Sequence, residues 1–278
     1  MKNKRIFLFA AYDSQGIVDD SLLYYLHALS RLGDIAFFMD NDISKSDREK
    51  LSLVPNLLYF EAKRHGEYDF GSYKRLYQWL ISKKIINKYD WVYLVNDSVY
   101  GPFSPLKPIL EKMESSKADV VSMFKSAKKD QEFLQTWFLG LRKTIAMSDW
   151  FNKFINSVKK EETKGDVVKK YELGLNNLLV RYKVKTYSFM FDKKLHMTRN
   201  PLHFFRAGIP FLKKNSVLTP HSHIGEIKYI LKALSKFDLR IITDNIRRLR
   251  GDMYIKHWIF GFAFIRYVCR KFLFGQKC

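Results

Sequence analysis

Residues 89–102 (YDWVYLVNDSVYGP) run through an apolar stretch, deliver Asn96, Asp97 and Ser98 together, and turn away at once through Gly101-Pro102. A hard divalent cation, manganese or magnesium, takes oxygen ligands and keeps several of them as waters and phosphate oxygens. The single carboxylate of Asp97 could therefore anchor one at a strand end. Such a cation is a Lewis acid able to neutralise a departing diphosphate. Asn-Asp-Ser and Gly-Pro are also strong turn formers, so an ordinary strand-ending turn accounts for the same residues. Upstream, residues 63–74 (KRHGEYDFGSYK) gather cations, Gly66, Gly71 and Asp69 in a loop that opens a helix. Cations and helix amino-termini favour phosphate, and Asp69 could accept a hydrogen bond from a ribose or sugar hydroxyl. Equally, Asp69 suits the N-cap of a helix behind a solvated loop.

Residues in these roles need a scaffold to hold them. Residues 5–11 (RIFLFAA) form an apolar run typical of a buried parallel strand, and the run is too short and lacks the cleavage site of a leader peptide. Val18, Leu22, Leu26 and Leu29 recur at helical spacing over 18–32, behind Asp19 and Asp20 as capping residues. A strand at 35–39, an apolar run at 57–60, a helix from about 70 to 82 and a strand at 91–95 follow. That alternation predicts an α/β fold with helices covering a mostly parallel sheet, in which ligands bind outside the carboxyl ends of the strands. The residues at those ends are Tyr12-Asp13, Asp40 to Asp42, and Asn96 to Ser98. Farther on, the pattern predicts a helix near 105–115, strands at 119–124 and 135–142, and helices near 148–158 and 171–182. Lys-rich links at 125–129, 159–164 and 192–194 read as solvated loops.

The chain has 278 residues, 47% of them apolar, which is enough to bury a core and too apolar for disorder. Its 49 Lys and Arg against 28 Asp and Glu give +21, so its partners are expected to be anionic. Cys269 and Cys278 both lie in the last ten residues, where they cannot staple the body of a fold or build a zinc site. No uncharged apolar stretch approaches the roughly 20 residues that span a bilayer. Residues 247–278 carry Arg247, Arg248, Arg250, Lys256, Arg266, Arg270, Lys271 and Lys277, interleaved with aromatic rings and opposed by Asp252 alone. Basic residues next to interfacial aromatics suit an anionic membrane surface; phosphate contacts with stacking would suit nucleic acid; a terminal helix packed on the body is the plain alternative. No nucleic-acid-binding module is recognisable. His221, His223 and Glu226 have a spacing that could ligate metal, though a polar loop before a helix explains them as well.

The segments FAAYD with VDD, YDFGSYK, NDSVYGP, YELGL and GIPFLKK, in this order over roughly residues 5–215, resemble the rhamnan synthesis F family of bacterial polysaccharide glycosyltransferases. The resemblance implies a GT-A-like, Rossmann-type domain, expected over 1–240, and the change of composition after about 240 leads one to expect a helical, basic, aromatic, membrane-associating segment over 241–278. It also implies transfer of a sugar from a nucleotide-diphosphate donor to a lipid-linked oligosaccharide at the inner face of the plasma membrane. Rhamnose is implied by the family name alone; galactofuranose or a hexose carried on UDP is the alternative. By the same similarity Asn96, Asp97 and Ser98 occupy the Asp-X-Asp position with one carboxylate, leaving metal dependence open. Tyr12, Asp13 and Asp40 would face the base and ribose, and Asp69, Tyr73 and Lys74 the diphosphate. His65 and Phe133 stand where related sequences lead one to expect Asn and His.

Glu172, in Lys169-Lys170-Tyr171-Glu172-Leu173-Gly174-Leu175, lies where an inverting transferase carries its general base. Its alternative role is to favour the positive amino-terminus of a helix. Gln135 and Trp137 could shape an acceptor pocket, with Trp137 equally suited to the core. A basic membrane- or nucleic-acid-binding protein without catalysis is the rival from another class; it would explain the charge without using any strand-end residue.

Overall fold

In a computed structural model, which describes residues 3–128, 131–219, 224–234 and 236–256, the first apolar run is strand β1 (Arg5–Ala11), buried along its whole length. Strands β2 (Asp34–Met39), β3 (Leu57–Ala62) and β4 (Trp91–Asn96) pair parallel in the order β3-β2-β1-β4. Helices α1 (Asp20–Ser30), α2 (Lys45–Ser52) and α3 (Tyr68–Ser82) make the crossovers. Phe70, Tyr73, Leu76, Tyr77 and Leu80 form one buried stripe of α3, which packs on Ile6, Leu8 and Ala10 of β1 and on Phe38 of β2. Each such side chain contributes about 1.5–3 kcal/mol by leaving water. Phe7 and Phe9 alternate to the opposite face, against Tyr93 and Phe37.

Beyond the short strand β5 (Val99–Tyr100), helix α4 (Leu106–Glu114) leads to β6 (Val120–Lys128), β7 (Gln131–Leu134) and β8 (Phe138–Arg142). These extend the sheet antiparallel as β4-β8-β6-β7, and β9 (Thr186–Phe191) adds parallel to β6. Between β8 and β9 come α5 (Lys143–Ala146), α6 (Asp149–Asn156), α7 (Lys164–Val167), a π-helical turn at Val168–Glu172, and α8 (Leu173–Arg181). The fold class is the predicted one, α/β with a mainly parallel central sheet. Three local expectations change. Residues 125–128 of the expected Lys-rich link continue β6, where Glu132 on the neighbouring strand pairs with Lys125 at 2.5 Å and offsets the charge. The strand predicted at 135–142 starts only at Phe138, as β8, because Gln135, Thr136 and Trp137 form the turn from β7, a strand that the sequence reading did not include. The helix expected from 171 begins at Lys164 and runs through the π turn.

The chain forms two compact units. The first comprises 1–18, 26–97 and 106–193 and holds the sheet; the second comprises 19–25, 98–105 and the described residues from 194 on. In the second, α9 (Pro201–Arg206), β10 (Leu212–Lys213), α10 (Lys214–Leu218), α11 (Ile224–Ala233) and α12 (Arg240–Arg250) gather a core of Tyr100, Leu212, Ile227, Ile230, Ile242 and Ile246. The boundary expected at 240 falls at the first residue of α12, whose Ile242, Asn245 and Ile246 are buried. Residues 257–278 of the expected basic segment, with both cysteines, lie outside the described residues, as do His221 and His223. Among the described residues no helix is long and apolar enough to cross a membrane.

Candidate active site

The carboxyl end of β4 is fixed by its neighbours. Asn96 donates its backbone N–H to Trp137 O at 3.1 Å, and Asp97 donates to Ala10 O at 3.2 Å. The Asn96 amide Nδ2 donates to Asp69 Oδ2 at 2.6 Å, across 27 residues. Asp69 is therefore not the N-cap of α3, a place taken by Glu67 without a side-chain cap. Its carboxylate sits in the first turn of α3, facing the strand end. Two turns of chemistry meet at Thr136. The Tyr73 hydroxyl donates to Thr136 O at 3.4 Å, while Glu172 Oε1 accepts from Thr136 N at 3.3 Å and from Thr136 Oγ1 at 3.5 Å. Residues 73, 96 and 172 thus bond to one three-residue turn, and Asp69 joins them through Asn96, the residue before Asp97.

Glu172 ends the π-helical turn, where Leu173 N–H bonds back to Val168 O, five residues earlier. Such widened turns recur at functional sites because they re-aim a single side chain without ending the helix. Here the widened turn is locked from both sides. Asn176 takes the Leu134 N–H on its Oδ1 at 2.7 Å and donates Nδ2 to Leu134 O at 3.0 Å and Glu172 O at 2.9 Å. Tyr171 donates its hydroxyl to Glu161 Oε1 at 2.6 Å, tying the turn to the preceding loop.

At the other strand ends, the buried Asp40 carboxylate accepts from His65 N at 2.6 Å, Gly66 N at 2.9 Å and Arg64 Nη1 at 2.6 Å. Those bonds bind it to the loop after β3. The guanidinium it holds, Arg64, lies 5.0 Å from the centre of the Tyr12 ring, and Tyr12 is 48% exposed. Asp13 Oδ1 accepts from Gln15 N and Ile17 N, and Asp13 N donates to Asn41 Oδ1. The side chain of His65 is buried; its Nδ1 accepts from Glu67 N at 3.0 Å, and Nε2 lies 3.0 Å from Ser72 Oγ. Nδ1 thus does what the amide oxygen of the expected Asn would do. Burial, aided by Arg75 and Arg64, pushes the imidazole down to about 4 against the opposing pull of Asp40 and Glu67. A cavity of about 300 Å³ opens beside this loop, lined by Phe38, Glu61, Lys63, Arg64, His65 and Arg75.

Other expected residues make different contacts. Lys74 donates Nζ to Val158 O at 2.7 Å, beyond α6, away from Asp69. Ser98 belongs to the second unit and accepts on Oγ from Lys213 Nζ at 3.0 Å. Trp137 is 3% exposed and donates Nε1 to Gln135 Oε1, so it serves the core, and Gln135 is half-buried. Glu226 accepts from Leu202 N. Among the described residues no three His, Cys, Asp or Glu side chains stand together as a metal site. Asp97 with Asn96 beside it fits only a cation that draws most ligands from water and phosphate, as magnesium and manganese do. Sequence reasoning missed Arg64, Thr136 and Asn176. YDFGSYK and YELGL carry the partners of Thr136, and Glu172 of YELGL also holds Asn176, but nothing in the spacing marks residues 36 or 42 positions away as neighbours.

A family model described as rhamnan synthesis protein F matches residues 35–267. Over 167 residues the chain is 25% identical to the uncharacterized protein y4gN of Sinorhizobium fredii, a match covering 59% of this chain and 43% of that protein, so the chain spans less than half the length of this relative. Among solved structures it is similar to the glycosyltransferase GlyE of Streptococcus pneumoniae, at 11% identity and a TM-score of 0.46, covering 90% of this chain and 64% of that one. It is also similar to HddC of Yersinia pseudotuberculosis, at 11% identity and a TM-score of 0.44, covering 84% of this chain and all (100%) of that one.

Proposed function

This chain belongs to the rhamnan synthesis protein F family, and on that premise we propose that it is a glycosyltransferase acting on a nucleotide-diphosphate sugar. The observation that carries the proposal is that β4's end and Glu172 both bond to the turn at residues 135–137, with Asp69 bonded to Asn96 at that strand end. It supports a site in which one acid faces the phosphates and another faces the acceptor.

Transfer follows as a single displacement. The acceptor hydroxyl oxygen attacks the anomeric carbon while Glu172 takes its proton. The bond from that carbon to the diphosphate oxygen breaks, and the nucleoside diphosphate leaves with the electron pair, so the configuration inverts. A positioned carboxylate base supplies roughly 10²–10⁴-fold. Asp97 would hold a divalent cation together with the donor phosphates, and that cation would neutralise the charge developing on the leaving group. Tyr12 offers its exposed ring to the base, with Arg64 held behind it by Asp40; Asp69 keeps Asn96 oriented and Thr136 keeps Glu172 oriented. Rhamnose as the sugar, a lipid-linked oligosaccharide as the acceptor and the inner membrane face as the place complete the proposal, with UDP-galactofuranose or a UDP-hexose as the alternative donor.

A thermal-shift screen of nucleotide sugars, with and without magnesium or manganese, tests it. One nucleoside diphosphate series should raise the melting temperature, since a ligand present at 100 times its Kd stabilises by about 2.7 kcal/mol. A flat response across every nucleotide sugar, with and without metal, would overturn it.

A further inference from the structure

One buried amide ties the backbone of Glu172 to the segment that binds the Glu172 carboxylate. Leu134 closes strand β7, opposite Lys125 of β6, and among the described residues no strand pairs with the other edge of β7. Asn176, in the first turn of α8 and 6% exposed, fills that place. Its Oδ1 takes the Leu134 N–H at 2.7 Å and its Nδ2 donates to Leu134 O at 3.0 Å, so a side-chain amide pairs with β7 as the peptide groups of a neighbouring strand would. Nδ2 also donates to Glu172 O at 2.9 Å, one turn earlier.

These bonds close a circuit. From Leu134 the chain runs through Gln135 to Thr136, whose N–H and hydroxyl both reach Glu172 Oε1. From Glu172 the circuit returns through its own carbonyl to Asn176, and so to Leu134. The turn in between is pinned as well: Gln135 donates its N–H to Phe124 O at 3.0 Å and takes the Ser122 hydroxyl on its carbonyl at 2.9 Å. A carboxylate is misplaced by movement of its own backbone or of the donors that face it. Asn176 restrains both with one group.

The residue type follows from the partners. The circuit presents one N–H and two carbonyl oxygens, which need one acceptor and two donors, and a primary amide supplies all three on one planar group. Aspartate supplies the acceptor alone. An aliphatic side chain supplies neither and leaves buried polar groups unpaired. The buried neighbours on α8, Leu175 and Leu179, are apolar, so packing by itself does not call for an amide here.

We propose that Asn176 is a positioning residue for sugar transfer: it acts through Glu172, fixing where the carboxylate stands when it takes the proton of the attacking hydroxyl. The inference rests on the transferase reading above and deepens it, since a misplacement of about 1 Å can cost roughly 10²-fold in rate.

Release of nucleoside diphosphate tests it on the full chain, with dTDP-rhamnose, GDP-rhamnose, UDP-galactofuranose and UDP-glucose as donors and water in place of the acceptor hydroxyl. Wild type, Glu172→Gln, Asn176→Ala and the double variant form a cycle, each assayed well below its melting temperature. Asn176→Asp, nearly the same shape, takes the place of Asn176→Ala if the latter does not fold. Asn176→Ala is expected to lower kcat about 10- to 100-fold with donor KM unchanged. In the Glu172→Gln background the same substitution should cost less than about twofold more, because residues that act as a unit are not additive. Wild-type kcat in the Asn176 variant, or losses that multiply in the double variant, overturns the positioning role and leaves the transferase reading intact; multiplied losses mark a residue that only steadies the fold. Wild-type kcat in Glu172→Gln removes Glu172 as the base and this inference with it. No release from any donor by wild type overturns the transferase reading and the inference together.

Discussion

A proton on Nδ1 of His65 would face the Glu67 amide hydrogen that already points at that nitrogen. The neutral ring therefore carries its hydrogen on Nε2, where it donates to Ser72 Oγ. Since the folded-state value, about 4, lies below the ordinary 6.5, the unfolded chain binds the extra proton first. Stability contributed by neutral His65 is therefore complete above about pH 6.5 and is lost as pH falls towards 4. Urea unfolding at several pH values checks this: the midpoint should drop between about pH 6.5 and 4.5 in wild type and drop less in His65→Asn, whose amide oxygen can take the Glu67 N–H. Asp40, Glu67, Arg64 and Arg75 surround the ring, so the difference between the two proteins is the readout. At this scale the sequence made the places of Asp97, a carboxylate after an apolar strand, and Glu172, one on a later helix, legible, because each carries its own local signal; their chemical roles belong to the proposal. Asp40 was legible as a strand-end acid, but its burial by the loop at 64–66 was not, since spacing does not show which backbone amides fold back onto it.

Helix α3 depends on a close approach that only glycine permits. A Cβ on Gly71 would stand 2.3 Å from Glu67 Cβ and 2.8 Å from His65 Cε1, so the loop whose amides bind Asp40 and the helix that presents Asp69 could not both keep their places. Gly71→Ala should cost about 1–3 kcal/mol, in the range of overpacked sites. It should also weaken donor binding; thermal melts and titration calorimetry measure the two effects. An unchanged melting temperature would mean the contact relaxes freely. The elements themselves were largely readable, because β1, β2 and β4 are unbroken apolar runs and α3 carries its stripe at helical spacing. Strand β9 escaped notice because its side chains are half-buried or exposed and lack a clean alternation. The break at 135–137 escaped too: the apolar run continues through Trp137, and only long-range bonds from Ser122 Oγ, Asn96 N and Thr136 reveal a turn.

For the whole molecule, +21 is the property that a sugar transferase alone does not demand. Arg266, Arg270, Lys271 and Lys277 lie beyond residue 256. Near an anionic leaflet each is worth about 1 kcal/mol, which together amounts to roughly 10³-fold in partitioning. A chain ending at Lys256 keeps Ile242, Asn245, Ile246 and Ile255 of the second unit, whereas a cut near 246 would remove core. The shorter chain should still bind donor but should lose salt-sensitive co-sedimentation with phosphatidylglycerol vesicles; undiminished co-sedimentation would assign that binding to the remaining surface. The account as a whole stands on Glu172 acting as the base beside a phosphate-facing Asp97. Its most direct measurement compares sugar transfer and donor affinity in wild type and Glu172→Gln. The expected result is transfer slowed roughly 10²–10⁴-fold with donor Kd unchanged. Transfer by Glu172→Gln at the wild-type rate would contradict it.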